Sequence, residues 1–184
     1  KGQQVIDLEG LANHRGSAFG GIDLPPQPTT EQFENNLFSK LRSLNPNTAI
    51  WVEDESKSIG KVSIPNAFYL AMGTMPVYFL DVPFQERTKH LVDTYANLNQ
   101  DKLAESIGRI AKRLGNDRAK LALEALASKD YHKVVEITLF YYDKYYLKGL
   151  QKREETTIQK IKVPQINPKK TADFLISLLH DENG

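Results

Sequence analysis

The chain contains no cysteine. That excludes disulfides, thiolate metal sites and a cysteine nucleophile anywhere in its 184 residues. No apolar run approaches the roughly 20 residues of a membrane span. A basic-then-apolar leader is also missing, so secretion is not indicated and the cytoplasm is the expected compartment. No G-x-x-x-x-G-K-S/T phosphate loop occurs. No Ser/His/Asp triad is legible either, since Ser17 beside His14 is too local to form one. His90, His132 and His180 are isolated and lack ligand spacing. The chain opens on Lys1-Gly2 and enters a strand almost at once, which is the expectation for part of a longer protein.

What is present is an ordinary globular composition, 40% apolar and 26% charged, enough to bury a core. The 24 basic and 23 acidic residues give a net charge of +1, which argues against a protein bound to nucleic acid by bulk charge. The charge is unevenly placed. Residues 1–100 carry 8 basic and 11 acidic residues, whereas 101–184 carry 16 and 12. From Lys144 to Lys170, eight basic residues face only Glu154 and Glu155. Such a run serves as a solvated helix face or as a phosphate-contacting one.

Residues 4–8 (QVIDL) read as a β-branched strand running into acids, and 11–28 as a Gly-, Ser- and Pro-rich loop. Thr30 is placed to cap a helix over 31–43, with Phe33, Leu37 and Leu41 on one stripe. Residues 49–52 form a second strand, 56–65 a loop, 66–72 a short helix and 77–80 a third strand. Helices are expected at 85–98, 101–114, 117–128 (capped by Asn116) and 131–151, then a strand at 157–163 and a helix at 169–179. Leu103, Ile107, Ile110 and Leu114 share a stripe that Gly115 should stop. This order predicts an α/β layered domain of parallel strands with flanking helices and a helical insertion. The expected divisions are an α/β core over 1–84, a helical region over 85–156, and a closing strand and helix over 157–184.

Ligands of such sheets sit at the carboxyl ends of the strands. Three expected strands end in carboxylates: Asp7/Glu9, Glu53/Asp54/Glu55 and Asp81. After the first comes Gly10-Leu11-Ala12-Asn13-His14-Arg15-Gly16-Ser17-Ala18-Phe19-Gly20-Gly21. Arg15 offers a bidentate fork for phosphate, Ser17 a hydroxyl, His14 a proton donor or anion contact, and the glycines close backbone approach. The alternative is a Gly-rich connection with a surface arginine. Ile50-Trp51-Val52-Glu53-Asp54-Glu55 has the pattern of a Walker-B-like strand, whose carboxylates hold Mg²⁺ beside nucleotide phosphates. Without a Walker A loop it cannot hold nucleotide by the usual geometry, so that loop is expected upstream of Lys1 or the protein is not a nucleotide protein. In the helix over 131–151, Val135, Leu139, Tyr142 and Tyr146 fall on a core stripe. Tyr141 and Tyr145 lie off it, interleaved with lysines, where they could stack bases.

Val5-Ile6-Asp7-Leu8-Glu9-Gly10-Leu11-Ala12-Asn13-His14-Arg15-Gly16-Ser17-Ala18-Phe19-Gly20 closely resembles a signature of the bacterial tRNA 2-selenouridine synthases. So do Gln32-Phe33-Glu34-Asn35 and Ile50-Trp51-Val52-Glu53-Asp54-Glu55-Ser56-Lys57-Ser58-Ile59-Gly60, followed by Ile64-Pro65. The match is dense over about residues 4–66 and looser beyond. The resemblance implies an enzyme acting on the wobble uridine of tRNAs for Lys, Glu and Gln. It exchanges the sulfur of 2-thiouridine for selenium from selenophosphate, through an S-geranylated uridine made from geranyl diphosphate. It also implies a rhodanese-like domain with an essential cysteine and a P-loop domain, of which this chain resembles the part after the Walker A helix. By position, His14, Arg15, Gly16, Ser17 and Glu9 would line the substrate or phosphate side, and Asp54 or Glu55 would face Mg²⁺ or the diphosphate. No catalytic residue is assigned. Charge, rather than the resemblance, nominates Lys144, Tyr145, Lys148, Lys152 and Arg153 for tRNA. The partners expected are tRNA, a supply of selenophosphate and the N-terminal half in cis or in trans, with no membrane. Two other readings stay open. One is a non-catalytic tRNA-binding fragment. The other is a phosphotransferase resembling nucleoside monophosphate kinases, suggested by Val77–Pro83 followed by Arg87.

Overall fold

A computed structural model describes residues 2–151, 153 and 157–181. The chain forms two compact units, residues 1–74 with 98–110 and residues 75–97 with 111–184. These do not follow the boundaries expected at 84 and 156. The fold is α/β, with two parallel strand pairs and eight helices among the described residues.

In the first unit, β1 (Gln4–Ile6) pairs in parallel with β2 (Ile50–Val52), Val5 opposite Trp51 and Ile6 opposite Val52. The strand ends sooner than the sequence suggests. Asp7 caps a five-residue helix, α1 (Leu8–Ala12), its Oδ1 accepting from the Gly10 N–H at 2.6 Å. The Asp7 carboxylate fills the space a Cβ on Gly10 would need, so glycine here makes room for the cap. Thr29, one residue before the expected cap, accepts from Gln32 N–H to start α2 (Thr30–Arg42). Phe33 and Leu37 are buried as the stripe requires, and Leu41 packs half-buried beside them. The stretch expected as loop after Glu55 holds a small antiparallel hairpin, β3 (Ser58–Ile59) and β4 (Val62–Ser63), turning at Gly60. Helix α3 (Asn66–Gly73) follows. Ile6, Leu8, Ala12, Phe33, Leu37, Ile59, Val62, Ile64 and Met72 form one core. Helix α5 (Gln100–Leu114) gives this unit its residues up to Ile110, and the whole predicted stripe is buried.

In the second unit, β5 (Val77–Asp81) pairs in parallel with β6 (Ile158–Lys162). Three helices accompany them: α4 (Phe84–Ala96), α6 (Asn116–Ala127) and α7 (Tyr131–Leu150). Helix α8 (Pro168–Asp181) closes the described chain, its first turn capped by Asn167, whose Oδ1 accepts from Lys170 N–H at 3.0 Å. Gly115, at φ 95°, stops α5 as expected. Asn116 does not cap α6. It is the first helical residue, Gly115 holds the cap position, and no side chain completes that cap. Helix α7 packs on α4 and α6 through Val134, Val135, Thr138 and Leu139. Buried Tyr95 hydrogen-bonds Thr138, and burial pushes its phenol up to about 12. The aromatic stripe departs from expectation at its far end. Val135 and Leu139 are buried, but Tyr142 is exposed and stacks on half-buried Tyr146, which in turn stacks on Phe79. A helix longer than the partners beneath it carries its stripe past the core.

Candidate phosphate-binding loop and carboxylate cluster

Parallel neighbours end at the same edge of a sheet, so β1 and β2 deliver their acids to one place. The Leu8 N–H donates to Glu53 Oε2 at 2.9 Å, tying the start of α1 to the end of β2. Asp7 and Glu53 share a side-chain hydrogen bond, as do Glu9 and Glu55. Burial raises the pKa of Glu9 and of Glu53. Glu55 is pushed up to about 7, first by burial, then by the charge of Glu9 and the hydrogen bond to it, then by Glu53 and Asp54. The Glu9–Glu55 pair therefore shares a proton near neutral pH, seated on Glu55. Asp81 stands apart from this logic. It ends β5 and pairs with Lys160 at 3.2 Å.

Residues 13–26 form a loop closed at its neck, an Ω-loop. Asn13 Nδ2 donates to Pro26 O at 3.1 Å, and Gln27 Nε2 donates to Ala12 O at 3.1 Å and Ile59 O at 2.9 Å. Gln27 Oε1 in turn accepts from Lys61 N–H at 2.8 Å, fastening the neck to the β3–β4 turn. Phe19 and Ile22 are buried within this segment. Asp23, at φ 56°, accepts from Asn99 N–H at 2.9 Å and meets Lys102 Nζ at 3.0 Å. These bonds hold the carboxyl of Asp23 below its ordinary range, the Asn99 amide first and then Lys102. Two of the glycine N–H groups, those of Gly10 and Gly20, are used by the fold itself. The Gly20 N–H donates to Ser17 O and its carbonyl accepts from Arg15 N–H, while Gly10 N–H belongs to Asp7. Gly16, at φ 66°, lies against Glu55, since a Cβ there would be 2.5 Å from Oε1. The loop and the carboxylates thus adjoin.

Arg15 is exposed on this loop, close enough for its charge to lower the Glu9 pKa. Ser17 Oγ accepts from Phe19 N–H at 3.3 Å. The ring of His14 packs between Gly21 and Gly60, the positions whose added Cβ atoms it would meet. Its Nδ1 is buried without a hydrogen-bond partner among the described residues. Burial, then the charge of Arg109, lowers its pKa, so at neutral pH the imidazole is uncharged. Sequence reasoning missed Arg109, Gln27 and Asp23, none of which stands in a recognisable pattern.

For Mg²⁺, the expected Asp54 and Glu55 lie at the end of β2 beside Glu9 and Glu53. Among the described residues no group of three or more Asp, Glu or His side chains is arranged to hold a metal ion. A single carboxylate contact is still within Mg²⁺ chemistry, because the ion completes its shell from water and substrate phosphate. In the second unit, Lys144, Tyr145 and Lys148 are exposed on α7, with Tyr141 and Tyr145 rings 4.8 Å apart. Arg153 is half-buried. Lys152 lies outside the described residues. Arg87 is committed elsewhere: its guanidinium grips Asp143 bidentately at 2.6 and 2.9 Å, and its Nε donates to Val82 O. The phosphotransferase reading loses the arginine that motivated it.

The Glu55 shift has a testable sign. Its folded pKa of about 7 stands above the ordinary 4.5, so its protonation supports the fold fully below pH 4.5 and that support is lost as pH rises through 7. In metal-free buffer, Glu55→Gln should be more stable than wild type at pH 8 by about 1–2 kcal/mol, after allowance for solvent screening. The gap should close near pH 5. Denaturant titrations at the two pH values measure it.

Parallel strands ending in carboxylates, with a Walker-B-like β2, define the class as an AAA-type, P-loop-like α/β domain. The family described as the tRNA 2-selenouridine synthase AAA domain matches residues 1–169, and the chain belongs to that family. Relatives named tRNA 2-selenouridine synthase include one from Nitrosomonas europaea, 32% identical over 81% of this chain and 51% of its own length. Another, from Hydrogenovibrio crunogenus, is 34% identical over 82% of this chain and 48% of its own. A third, from Shewanella loihica, is 38% identical over 61% and 35%. The chain spans about half the length of the first two relatives. No solved structure matches it.

Proposed function

We propose that this chain is the AAA-type portion of a tRNA 2-selenouridine synthase and that its Ω-loop receives the diphosphate of the prenyl donor. The observation that carries the reading is Arg15, exposed on a closed loop at the carboxyl end of β1. In this reading the sulfur of wobble 2-thiouridine attacks C1 of geranyl diphosphate, a C–S bond forms and diphosphate leaves. Arg15 stabilises the charge gathering on the departing oxygens. Selenophosphate then attacks C2 through its selenium, the geranylated sulfur leaves as geranylthiol, and hydrolysis of the Se–P bond leaves 2-selenouridine and phosphate. The substrates are the tRNAs for Lys, Glu and Gln, and the compartment is the cytoplasm. No helix among the described residues is long and apolar enough to cross a membrane. A Mg²⁺ held through Asp54 or Glu55 and the diphosphate oxygens would neutralise phosphate charge when bound. Arg15→Ala in the complete enzyme should cut S-geranylation of tRNA by about 10²-fold or more. Normal S-geranylation in that variant sinks the role.

The exposed row of Lys144, Tyr145 and Lys148 supports a second activity, tRNA binding by the second unit. Replacing both lysines by alanine should weaken tRNA binding uniformly across sequences and flatten its salt dependence by about two charges. Filter binding at several salt concentrations reads both effects.

A further inference from the structure

We propose that Arg109 is the second cation of the Ω-loop site, forming with Arg15 a pair of guanidinium charges for a terminal diphosphate. The inference rests on the reading of that loop as a phosphate site and extends it to a residue on α5. Ser106, fully buried, fixes the Arg109 side chain: its Oγ accepts from Nη2 at 2.6 Å. The same nitrogen donates to Ala18 O, a carbonyl within the loop, at 3.5 Å. The guanidinium is thereby held at the loop's edge by one nitrogen. Its Nε and Nη1 hydrogens have no acceptor among the described residues. Arg109 is exposed, as is Arg15.

The charge balance calls for such a residue. A diphosphate brings two phosphate groups, and Glu9 lies near Arg15 with a carboxylate that repels them. The backbone N–H groups of Gly10 and Gly20 are spent inside the fold. His14, central to the motif, is packed and uncharged, and its buried Nδ1 cannot reach a ligand in solvent. The charge of Arg109 is felt at that ring, which places the guanidinium beside the motif. An anchored arginine binds phosphate better than a mobile lysine, because less side-chain freedom is lost per hydrogen bond. Two guanidinium charges match a diphosphate more closely than a single phosphodiester of an RNA backbone, which carries one negative charge.

The test is calorimetric titration of inorganic pyrophosphate into the 184-residue chain, with a uridine trinucleotide lacking a terminal phosphate as the RNA-backbone arm. Arg109→Ala should raise the Kd for pyrophosphate about tenfold or more, and Arg109→Lys should recover only part of that. Arg109→Gln serves if the alanine variant loses its far-UV dichroism. Unchanged pyrophosphate affinity in a folded Arg109 variant overturns the proposal, as does absence of pyrophosphate binding by wild type at millimolar concentration. Trinucleotide binding that is tighter than pyrophosphate binding, and equally sensitive to Arg109, overturns the diphosphate assignment. The two readings fail separately. If pyrophosphate binding needs Arg109 while Arg15→Ala leaves S-geranylation intact in the complete enzyme, the geranyl donor is wrong and the anion site stands. If Arg15→Ala abolishes S-geranylation while Arg109→Ala binds pyrophosphate normally, the role of Arg109 is wrong and the loop stands.

Discussion

Replacing Gln27 by leucine is expected to destabilise the first unit by about 2–4 kcal/mol, although the two side chains are close in size. Gln27 is one half-buried side chain with three backbone partners: it donates to Ala12 O and Ile59 O and accepts from Lys61 N–H. Leucine would keep the volume and strand all three groups. The carbonyls of Ala12 and Ile59 matter most, since Ala12 and Ile59 are both buried. Against a typical total stability of about 5–15 kcal/mol, this is a large fraction. Urea titration should show a lower midpoint with a similar slope. Gln27→Glu would keep the acceptor but lose the two donations, and should recover little.

A comparable loss is expected from Gly60→Ala. Gly60 sits at φ 60°, where any other L-residue costs about 1–2 kcal/mol. The added Cβ would also collide with Gln27 Oε1 and lie 2.7 Å from Cδ2 of His14. Displacing both adds an overpacking cost of about 1–3 kcal/mol. Because Gly60 and Gln27 touch the same space, the two substitutions should be non-additive: Gly60→Ala should cost less in a Gln27→Ala background, where the blocking oxygen is gone. A double-mutant cycle in urea measures the coupling, and strict additivity would show that the collision is relieved elsewhere. Gly60→Ala also pushes on His14, so a change in the His14 ring proton shifts is expected from it and not from Gln27→Ala.

Much of the fold was legible in the sequence wherever a period ran long enough. The stripes of α2 and α5 are buried as read, and the apolar runs expected as strands at 4–8, 49–52 and 77–80 correspond to strands at 4–6, 50–52 and 77–81. The collection of acids at the ends of β1 and β2 followed from parallel pairing. Short elements escaped. Helix α1 is five residues with a glycine inside it, held by an aspartate cap that a strand reading over 4–8 absorbs along with Leu8. The β3–β4 hairpin has two residues per strand, too few for alternation to register. Helix α6 begins on the asparagine that was expected to cap it, because Gly115 both ends one helix and starts the next. In the site, the motif residues 14–17 were visible as a cluster, but their division of labour was not. Burial decides that His14 is neutral, and burial has no local signature. Arg109 lies more than ninety residues away and reaches the loop only because α5 packs there. Tyr142 shows the opposite error, a period that continues after the core beneath it has stopped.

The closed neck of the Ω-loop bears on kinetics. Asn13, Gln27 and Asp23 fasten it at three points before any ligand arrives, and Arg109 braces it at Ala18. In the proposed reading an anion meets a loop that is already assembled, and little ordering entropy is left to be lost on arrival. Capture should then be governed by diffusional encounter with the two positive charges of Arg15 and Arg109: association should slow as ionic strength rises, while the intrinsic dissociation rate changes little.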